Sequence, residues 1–254
     1  MRTRPTATIF VKSRPLRGSA FDQEPRGQAH GYDRRVTASR YDDHAAWYVD
    51  YTSRWELSST ASLPSDLKGL HVLDLGCGWG QLSRELAGRG ATVTAVDLSG
   101  KLLERARDIE RRHPVGIRYV HGDATCMDWW DGTGYDGLVC NMALMDIDDL
   151  EAALRTVASV LRPSGWFNLS LLHPCFPGDA SVDALPSWPP DRGYAAEGWW
   201  TTGSVGVRGH VGAHHRMLST YLNAVLHAGL EFESFIEPAA DLPRVLNIQG
   251  RRPR

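Results

Sequence analysis

The stretch VLDLGCGWGQL, residues 72–82, constrains the fold of this 254-residue chain more than any other. An apolar run breaks at Gly76, Gly78 and Gly80 and then resumes with helical spacing, as in a strand that turns sharply into a helix. Glycine tolerates the left-handed backbone of such a turn, and its missing side chain lets the backbone approach a ligand. The stretch therefore predicts a strand, a ligand-binding loop and a helix.

Strand and helix patterns alternate beyond this loop, which predicts an α/β fold with a parallel sheet covered on both faces. In such sheets ligands bind beyond the carboxyl ends of the strands. A helix rich in aromatic residues is predicted over residues 41–55. The predicted strands are residues 71–77, 91–99, 117–124, 135–144 and 165–172, and the predicted helices between them are residues 81–89, 101–113 and 148–162.

The composition argues against several classes of protein. The hydrophobic fraction is 42% and the net charge is −2, as in ordinary globular proteins. No apolar run approaches the ~18 residues of a membrane span. The four cysteines are widely spaced and form no CxxC pair, which argues against a disulfide framework and a zinc site. We therefore expect a cytoplasmic protein with no metal site and no membrane contact.

Residues 1–40 differ from the rest of the chain. They carry nine Arg or Lys residues against three Asp or Glu residues and lack hydrophobic periodicity, whereas the other residues carry a net charge of −8. We interpret residues 1–40 as a poorly ordered basic tail, with a nucleic-acid arm or an organellar presequence as alternatives. Because an acidic body is a poor platform for nucleic acid, no nucleic-acid partner is expected.

An acidic residue closes the second predicted strand. The carboxylate of Asp97 could accept both hydroxyls of a ribose that lies over the glycine loop. NAD-binding folds use the same device, so the glycines and Asp97 alone leave the ligand open. Asp97 could instead cap the following helix, although Ser99 lies nearby and would cap it as well.

Two details favour a ligand other than a dinucleotide. The loop reads GxGxG rather than GxGxxG, and Asp74 lies just before it, where a carboxylate would repel a pyrophosphate but suits an amine and a sulfonium. Asp123, at the end of the third strand, could accept a hydrogen bond from an adenine amino group. The sequences DLGCGWG, AVD and GDA together resemble the class I S-adenosylmethionine (SAM)-dependent methyltransferases.

This resemblance covers residues 41–254 and implies SAM as the cofactor. It implies a Rossmann-like methyltransferase fold, with a doubly wound, mainly parallel sheet of seven strands and an antiparallel C-terminal hairpin. It also implies a cap insertion over about residues 174–213, a helix over 214–229 and hairpin strands over 231–238 and 244–250. The residues that the resemblance assigns to the cofactor are Asp74, Gly76, Gly78, Gly80, Asp97, Leu98, Asp123, Ala124 and Asn141.

The methyl acceptor is less constrained. The fourth strand lacks the motif of amino-methylating DNA enzymes, and the Pro174–Cys175 pair follows the wrong strand for a cytosine-C5 enzyme, so Cys175 is predicted to be a packed thiol. SLLHPCF and HHRMLSTYLNAVLHAG resemble the branch that methylates antibiotic and other secondary-metabolite scaffolds. This predicts an N- or O-methyltransferase for a small organic metabolite. An RNA or protein acceptor and a SAM-binding regulator are alternatives, and homo-oligomerisation is left open.

Aromatic residues could wall the acceptor pocket, although ordinary packing of the cap explains them equally well. Tyr41 and Tyr48, on the aromatic helix, could close the pocket near the sulfonium. The aromatic residues of the insertion are Trp188, Tyr194, Trp199 and Trp200.

A hydroxyl acceptor would benefit from a general base. His173, immediately after the fifth strand, is the first candidate, and His215, at the predicted start of the next helix, is the second. Tyr41 is a further catalytic candidate. Asp146 is a weaker one, because it could simply cap the helix that follows. A structural role is the alternative for each histidine.

Overall fold

The computed structural model describes residues 39–54, 62–176, 192–201, 206–239 and 242–254. The predicted basic tail therefore lies outside the described residues except for its last two positions. Trp188 and most of the first half of the predicted cap insertion also lie outside them. The described residues all belong to one structural unit of the chain.

A mainly parallel sheet forms the centre of the fold. The described strands are β1 (His71–Leu75), β2 (Thr92–Asp97), β3 (Arg118–His121), β4 (Tyr135–Asn141), β5 (Leu161–Leu172), β6 (Gly198–Trp200), β7 (Ala213–His215), β8 (Glu231–Ile236) and β9 (Val245–Arg251). Seven of them form one sheet in the order β3-β2-β1-β4-β5-β9-β8. The first five run parallel, whereas β9 is antiparallel to both β5 and β8. The predicted Rossmann-like sheet with its antiparallel hairpin is confirmed.

Helices bury an apolar core on each face of this sheet. One core contains Leu154 and Tyr221, and the other contains Leu86 and Leu103. The described α-helices are α1 (Ala45–Thr52), α2 (Gln81–Gly88), α3 (Gly100–Arg112), α4 (Leu150–Val160), α5 (Val207–Val211) and α6 (Leu218–His227), with short 3₁₀-helices at Asp42–His44 and Leu144–Asp146. The parallel strands therefore end at one edge, and the loops that follow them are free to build a site.

The fifth strand begins earlier than the sequence indicates. Leu161, predicted to lie in the preceding helix, pairs with Tyr135 and already belongs to β5. The register then shifts before Trp166 pairs with Gly137, so that Pro163 lies where the ladder with β4 is interrupted. Because proline has no N–H to donate, it is tolerated at such an irregularity.

The helix predicted over residues 214–229 begins only at Leu218. His215 instead lies in β7, which pairs antiparallel with β6 in a second, two-stranded sheet, so its predicted position at a helix start is wrong. The Nε2 of His215 donates to the Tyr194 carbonyl at 2.6 Å. Tertiary pairing with the insertion therefore outweighs the local helical pattern at this point.

The four cysteines are free, but two of them are not packed. Cys77 and Cys140 are buried, whereas Cys126 and Cys175 are exposed. The prediction of a packed Cys175 is therefore wrong. Cys175 follows the end of β5 in a turn, where its Sγ lies 3.9 Å from the Tyr194 hydroxyl.

Candidate functional site

The glycine loop after β1 is packed at both ends and open in the middle. Gly76, Gly78 and Gly80 all have positive φ angles, of 78°, 55° and 83°. A Cβ on Gly76 would lie 2.5 Å from the Ala143 Cβ, and one on Gly80 would collide with the Tyr119 hydroxyl. A Cβ on Gly78 would meet no atom within 4 Å. Gly78 is therefore where the backbone can meet a ligand, whereas close packing requires glycine at positions 76 and 80.

Asp97, at the end of β2, is fixed beside this open stretch. The N–H of Gly78 donates to Asp97 Oδ2 and the N–H of Ser99 donates to Oδ1, each at 2.7 Å. Burial raises the pKa of Asp97, and the nearby carboxylates of Asp146 and Asp42 raise it further. The side chain of Ser99 caps α3, so Asp97 is not needed as the cap. Each Asp97 oxygen retains a lone pair for another donor.

Asp74 is buried at the end of β1 and fixes the two ends of the glycine loop. It is 1% exposed, and the Ser83 hydroxyl donates to its Oδ2 at 2.5 Å, which ties β1 to the first turn of α2. Burial raises the pKa of Asp74 to about 7. Its predicted approach to an amine stays a prediction, since the contact that the structure shows is with Ser83.

The ends of β2 and β3 lie side by side in the sheet. The His121 Nε2 donates to the Leu98 carbonyl at 2.9 Å. Asp123 Oδ1 accepts from both the N–H and the hydroxyl of Thr125 at 2.8 Å, which fixes its side chain in the turn after β3. Ala124 is half-buried beside it. The proposed adenine contacts of Asp123 and Ala124 stay predictions.

The end of β4 carries a strained residue. The Ser170 hydroxyl donates to Asn141 Oδ1 at 2.5 Å, and the N–H of Met142 donates to the Ser170 carbonyl at 2.8 Å. Met142 has a positive φ of 55°, which is costly for a residue with a side chain. Such strain persists where the surroundings impose it and is common at functional sites.

The segment around α1 spans two of these strand ends. Asp42 Oδ1 accepts from the Ser99 hydroxyl at 2.6 Å, beside the end of β2. At the other end of α1, Thr52 Oγ1 accepts from the Trp79 indole at 3.0 Å, and the Thr52 carbonyl accepts from Gln81 Nε2 at 3.3 Å. The helix is thus hydrogen-bonded to the glycine loop and to the start of α3, on either side of Asp97. These anchors were not found from the sequence, because their partners are far apart along the chain.

A second carboxylate lies in the 3₁₀-helix after β4. Tyr41 Oη donates to Asp146 Oδ2 at 2.8 Å, and Arg208 Nη1 donates to Asp146 Oδ1 at 2.9 Å. The ring edge of Tyr41 meets Tyr48, with centroids 4.9 Å apart. The pKa of Tyr48 is raised, chiefly by burial and then by the charges of Asp146 and Asp97. Tyr48 therefore lies within electrostatic reach of both carboxylates.

His173 is held by a hydrogen bond at each ring nitrogen, and its role as a general base stays a prediction. It is 5% exposed, its Nε2 donates to Glu237 Oε1 at 2.6 Å, and its Nδ1 accepts from the Cys175 N–H at 3.3 Å. Both ring nitrogens therefore contact the protein and fix the turn after β5. His215 is 1% exposed and bonded to the backbone of the insertion, which is a structural contact.

The alternative role of Asp146, as the cap of the helix that follows, is not what the structure shows. Asp149, not Asp146, caps α4, because its side chain accepts from the Ala152 N–H at 2.8 Å. Asp146 is therefore available to Tyr41 and Arg208. Arg208 was missed, because no motif or periodicity in the insertion distinguishes it from any other arginine.

The aromatic residues of the insertion have different environments. Trp200 is buried, whereas Trp199 is 45% exposed and its ring packs against Gly212, where a Cβ would collide with it. The Tyr194 hydroxyl accepts from the Leu218 N–H at 2.7 Å, so it anchors the start of α6. Trp199 is the most exposed of these three, and the Arg40 guanidinium lies over its ring, 5.9 Å from the centroid.

Among the described residues, no group of three His, Cys, Asp or Glu side chains could hold a metal ion. None of the helices in this part of the chain has the length and apolar character that crossing a lipid bilayer requires.

Comparisons with known proteins agree with this geometry. Residues 72–165 match the model of a methyltransferase domain. The chain is 34% identical over 107 residues to the ubiquinone biosynthesis O-methyltransferase of Coxiella burnetii, and 35% identical over 108 residues to that of Xanthomonas oryzae pv. oryzae. Each match covers 42% of this chain and 45% of the relative, so the chain matches about half the length of these relatives.

A solved structure is similar over a larger part of the chain. The S-adenosylmethionine-dependent methyltransferase from Mesorhizobium loti is 31% identical, with a TM-score of 0.62. The likeness covers 77% of this chain and 96% of that one. With this identity over almost the whole of a solved relative, the chain belongs to the SAM-dependent methyltransferases.

Proposed function

We propose that this protein transfers the methyl group of SAM to an oxygen of a small organic acceptor. The observation that carries the proposal is the Asp97 carboxylate, fixed by the N–H groups of Gly78 and Ser99 beside the open stretch of the glycine loop. Asp146, in the 3₁₀-helix after β4, supplies a second carboxylate on the same edge of the sheet.

The residues present fit SAM. Gly78 leaves open space where the backbone can approach the cofactor, and Asp97 retains lone pairs that would accept the ribose hydroxyls. Asp123 would accept from the adenine amino group. The carboxylates of Asp97, Asp42 and Asp146 give this edge negative charge, which suits a sulfonium and an amine better than a pyrophosphate.

The chain's own residues would position the acceptor and exclude water. When bound, SAM supplies an electrophilic methyl group on a sulfonium. The segment around α1, with Tyr41 and Tyr48, would cover the site. Such a cover would align the acceptor and exclude water, which provide much of the rate of a methyl displacement. Asp146 would accept the proton of the acceptor hydroxyl, since a carboxylate that already binds Tyr41 and Arg208 still has lone pairs.

The choice of oxygen draws support from the relatives. Both are named as O-methyltransferases, although each is matched over only 45% of its length. A nitrogen acceptor is the alternative, since a neutral amine needs no strong base. The predicted role in secondary metabolism and the cytoplasmic location stay predictions.

Calorimetry and methyl-transfer assays test the proposal together. The protein is titrated with SAM, with its product S-adenosylhomocysteine (SAH), and with NAD, and is then incubated with methyl-labelled SAM and panels of phenols and amines. We expect SAM and SAH to bind, NAD not to bind, and label to enter phenols. Tight NAD binding without SAM binding would refute the cofactor assignment. If SAM binds and label enters only added RNA or protein, the acceptor is a macromolecule. If SAM binds and no acceptor is labelled, the protein is a SAM-binding regulator instead.

A further inference from the structure

We infer that Arg208 binds a carboxylate of the methyl acceptor, so that the acceptor is a hydroxylated aromatic acid. The methylation of that acid rests on the proposed function, whereas binding of its carboxylate does not and can be measured separately. The inference depends on the contacts of Arg208, on the charges around it and on the aromatic surface beside it.

The guanidinium of Arg208 is buried but not fully bonded. Arg208 is 3% exposed, and its Nη1 donates to Asp146 Oδ1 at 2.9 Å and to the Gly212 carbonyl at 2.7 Å. Its Nε is buried and has no hydrogen-bond partner among the described residues. Leaving a buried charged donor unpaired is costly, so this N–H is suited to a ligand that supplies the acceptor. The planar fork of guanidinium matches a carboxylate in particular.

Arg208 is in direct contact with Asp146, the proposed proton acceptor. It contacts one oxygen of Asp146 while Tyr41 contacts the other. The segment that carries Tyr41 is also hydrogen-bonded to the residues after β2, through Asp42 and Ser99, so a chain of direct contacts links the guanidinium to the strand end that carries Asp97. A carboxylate on Arg208 would therefore hold a hydroxyl of the same small molecule near Asp146.

The charges in this region favour an anion. Arg216 is 8% exposed and donates to the carbonyls of the segment after β4, which are neutral acceptors. Asp148 is exposed and already contacts Arg40 and His214. Among the described residues, the partly buried Asp146 is therefore the carboxylate in direct contact with Arg208, and Arg216 has hydrogen bonds only to carbonyl oxygens. A bound anion would offset the remaining positive charge.

A flat aromatic surface lies beside the guanidinium. The Trp199 ring packs against Gly212, the residue whose carbonyl accepts from Arg208 Nη1. Trp199 is 45% exposed, and the Arg40 guanidinium lies over its ring, 5.9 Å from the centroid, so an aromatic ligand would share this surface with Arg40 or displace it. An aromatic acceptor could stack there while its carboxylate reaches Arg208, which is why an aryl acid fits better than an aliphatic one.

Binding is tested on protein saturated with SAH, by calorimetry with the hydroxybenzoate isomers and the matching neutral hydroxybenzamides. We expect at least one acid to bind about tenfold or more tightly than its amide, and R208Q to remove that preference. The matched control is R155Q, which removes one positive charge from an exposed residue paired with Glu151. It should change the affinity for the acid less than about twofold, since exposed charges are screened.

Two further variants separate binding from folding. R208K keeps the charge beside Asp146 but loses the planar fork, and the double variant R208Q/D146N removes both charges together. We expect both variants to be folded by circular dichroism and to lose most of the preference for the acid. Retention of the preference in either folded variant, equal effects of R208Q and R155Q, or no acid that binds the wild type better than its amide would overturn the inference.

Methyl transfer to the same probes separates this inference from the proposed function. Acids that bind through Arg208 and are methylated support both proposals. Acids that bind through Arg208 but receive no methyl group would leave the anion site standing and count against the proposed activity. Methylation of neutral phenols alone, with no selective binding of acids, would do the reverse.

Discussion

The site has a cofactor side, with the glycine loop, Asp74 and Asp97, and an acceptor side, with Asp146, Tyr41 and Arg208. The hydrogen bonds that fix the carboxylates on these two sides differ in their separation along the chain. On the cofactor side, Asp97 bonds to residues 2 and 19 positions away, and Asp74 to one 9 positions away. On the acceptor side, Asp146 bonds to Arg208 over 62 positions and to Tyr41 over 105. One strand–loop–helix unit and its neighbour are enough to position Asp74 and Asp97, whereas Asp146 meets its partners only when distant segments pack together.

The largest expected effect concerns the acceptor side. D146N should lower kcat by about two to four orders of magnitude, the usual contribution of a general base, while the affinity for SAM stays unchanged. The measurement is steady-state kinetics with a phenolic acceptor, together with calorimetry for SAM. D148N is the matched control, because Asp148 lies two residues away and is exposed. A kcat for D146N equal to that of D148N across pH 6–9 would remove Asp146 from the mechanism.

The glycine loop allows a test within the cofactor side. G76A should destabilise the fold by about 2–4 kcal/mol, because its Cβ collides with Ala143 and its backbone is left-handed. G78A introduces no collision but also has a left-handed backbone, so it should lower the free energy of unfolding by about 1–2 kcal/mol. Chemical denaturation measures both losses. The double variant G76A/A143G should recover the part due to the collision, and no recovery would mean that Gly76 is not constrained by Ala143.

The range of these contacts explains how much of the site was predictable. The glycine loop, Asp97 and the strand ends were found because one local pattern specifies each of them. Asp146 was ranked below His173, since a histidine after a strand suggests a base and an aspartate before a helix suggests a cap. Only the folded chain shows that Glu237 and the Cys175 N–H occupy both nitrogens of His173.

The fold itself was predicted well for the same reason, and its failures have a common cause. Hydrophobic periodicity identified the five parallel strands, because each is buried by its own sequence pattern, whereas the two strands of the hairpin were implied by the family resemblance. The two errors, at Leu161 and at His215, occur where pairing with another strand overrides a continuing helical pattern. The segments of the insertion lack periodicity, and therefore neither β6 nor α5 was predicted.

Asp97 provides a test of whether the two sides act independently. D97A should weaken SAM binding by ~1.5–3 kcal/mol, the range for losing hydrogen bonds to a charged group. D97N, which keeps an acceptor oxygen, should lose less. Calorimetric titration with SAM measures both variants, and R208Q, whose substitution lies beside Asp146, should bind SAM as tightly as the wild type does. Equal SAM affinity in D97A and wild type would contradict the assignment of the cofactor side.

The smallest expected effect is a pH dependence of stability that arises on the cofactor side alone. Asp74 has a pKa of about 7 in the folded protein, against an ordinary value of 3.8, because it is buried. The folded state therefore binds more protons than the unfolded state between these values, so this contribution to stability is present at low pH and is lost as the pH rises through 7.

D74N removes that titration and can still accept from the Ser83 hydroxyl through its amide oxygen. Between pH 6 and pH 8 the ligand-free wild type should lose about 1.4 kcal/mol of unfolding free energy relative to D74N. Urea denaturation at each pH measures the difference. The same series on D148N should show no comparable trend, because Asp148 is exposed and its pKa is lowered. Parallel stability curves for wild type and D74N would mean that Asp74 is ionised in the folded protein throughout, and that burial is offset by a donor beyond Ser83.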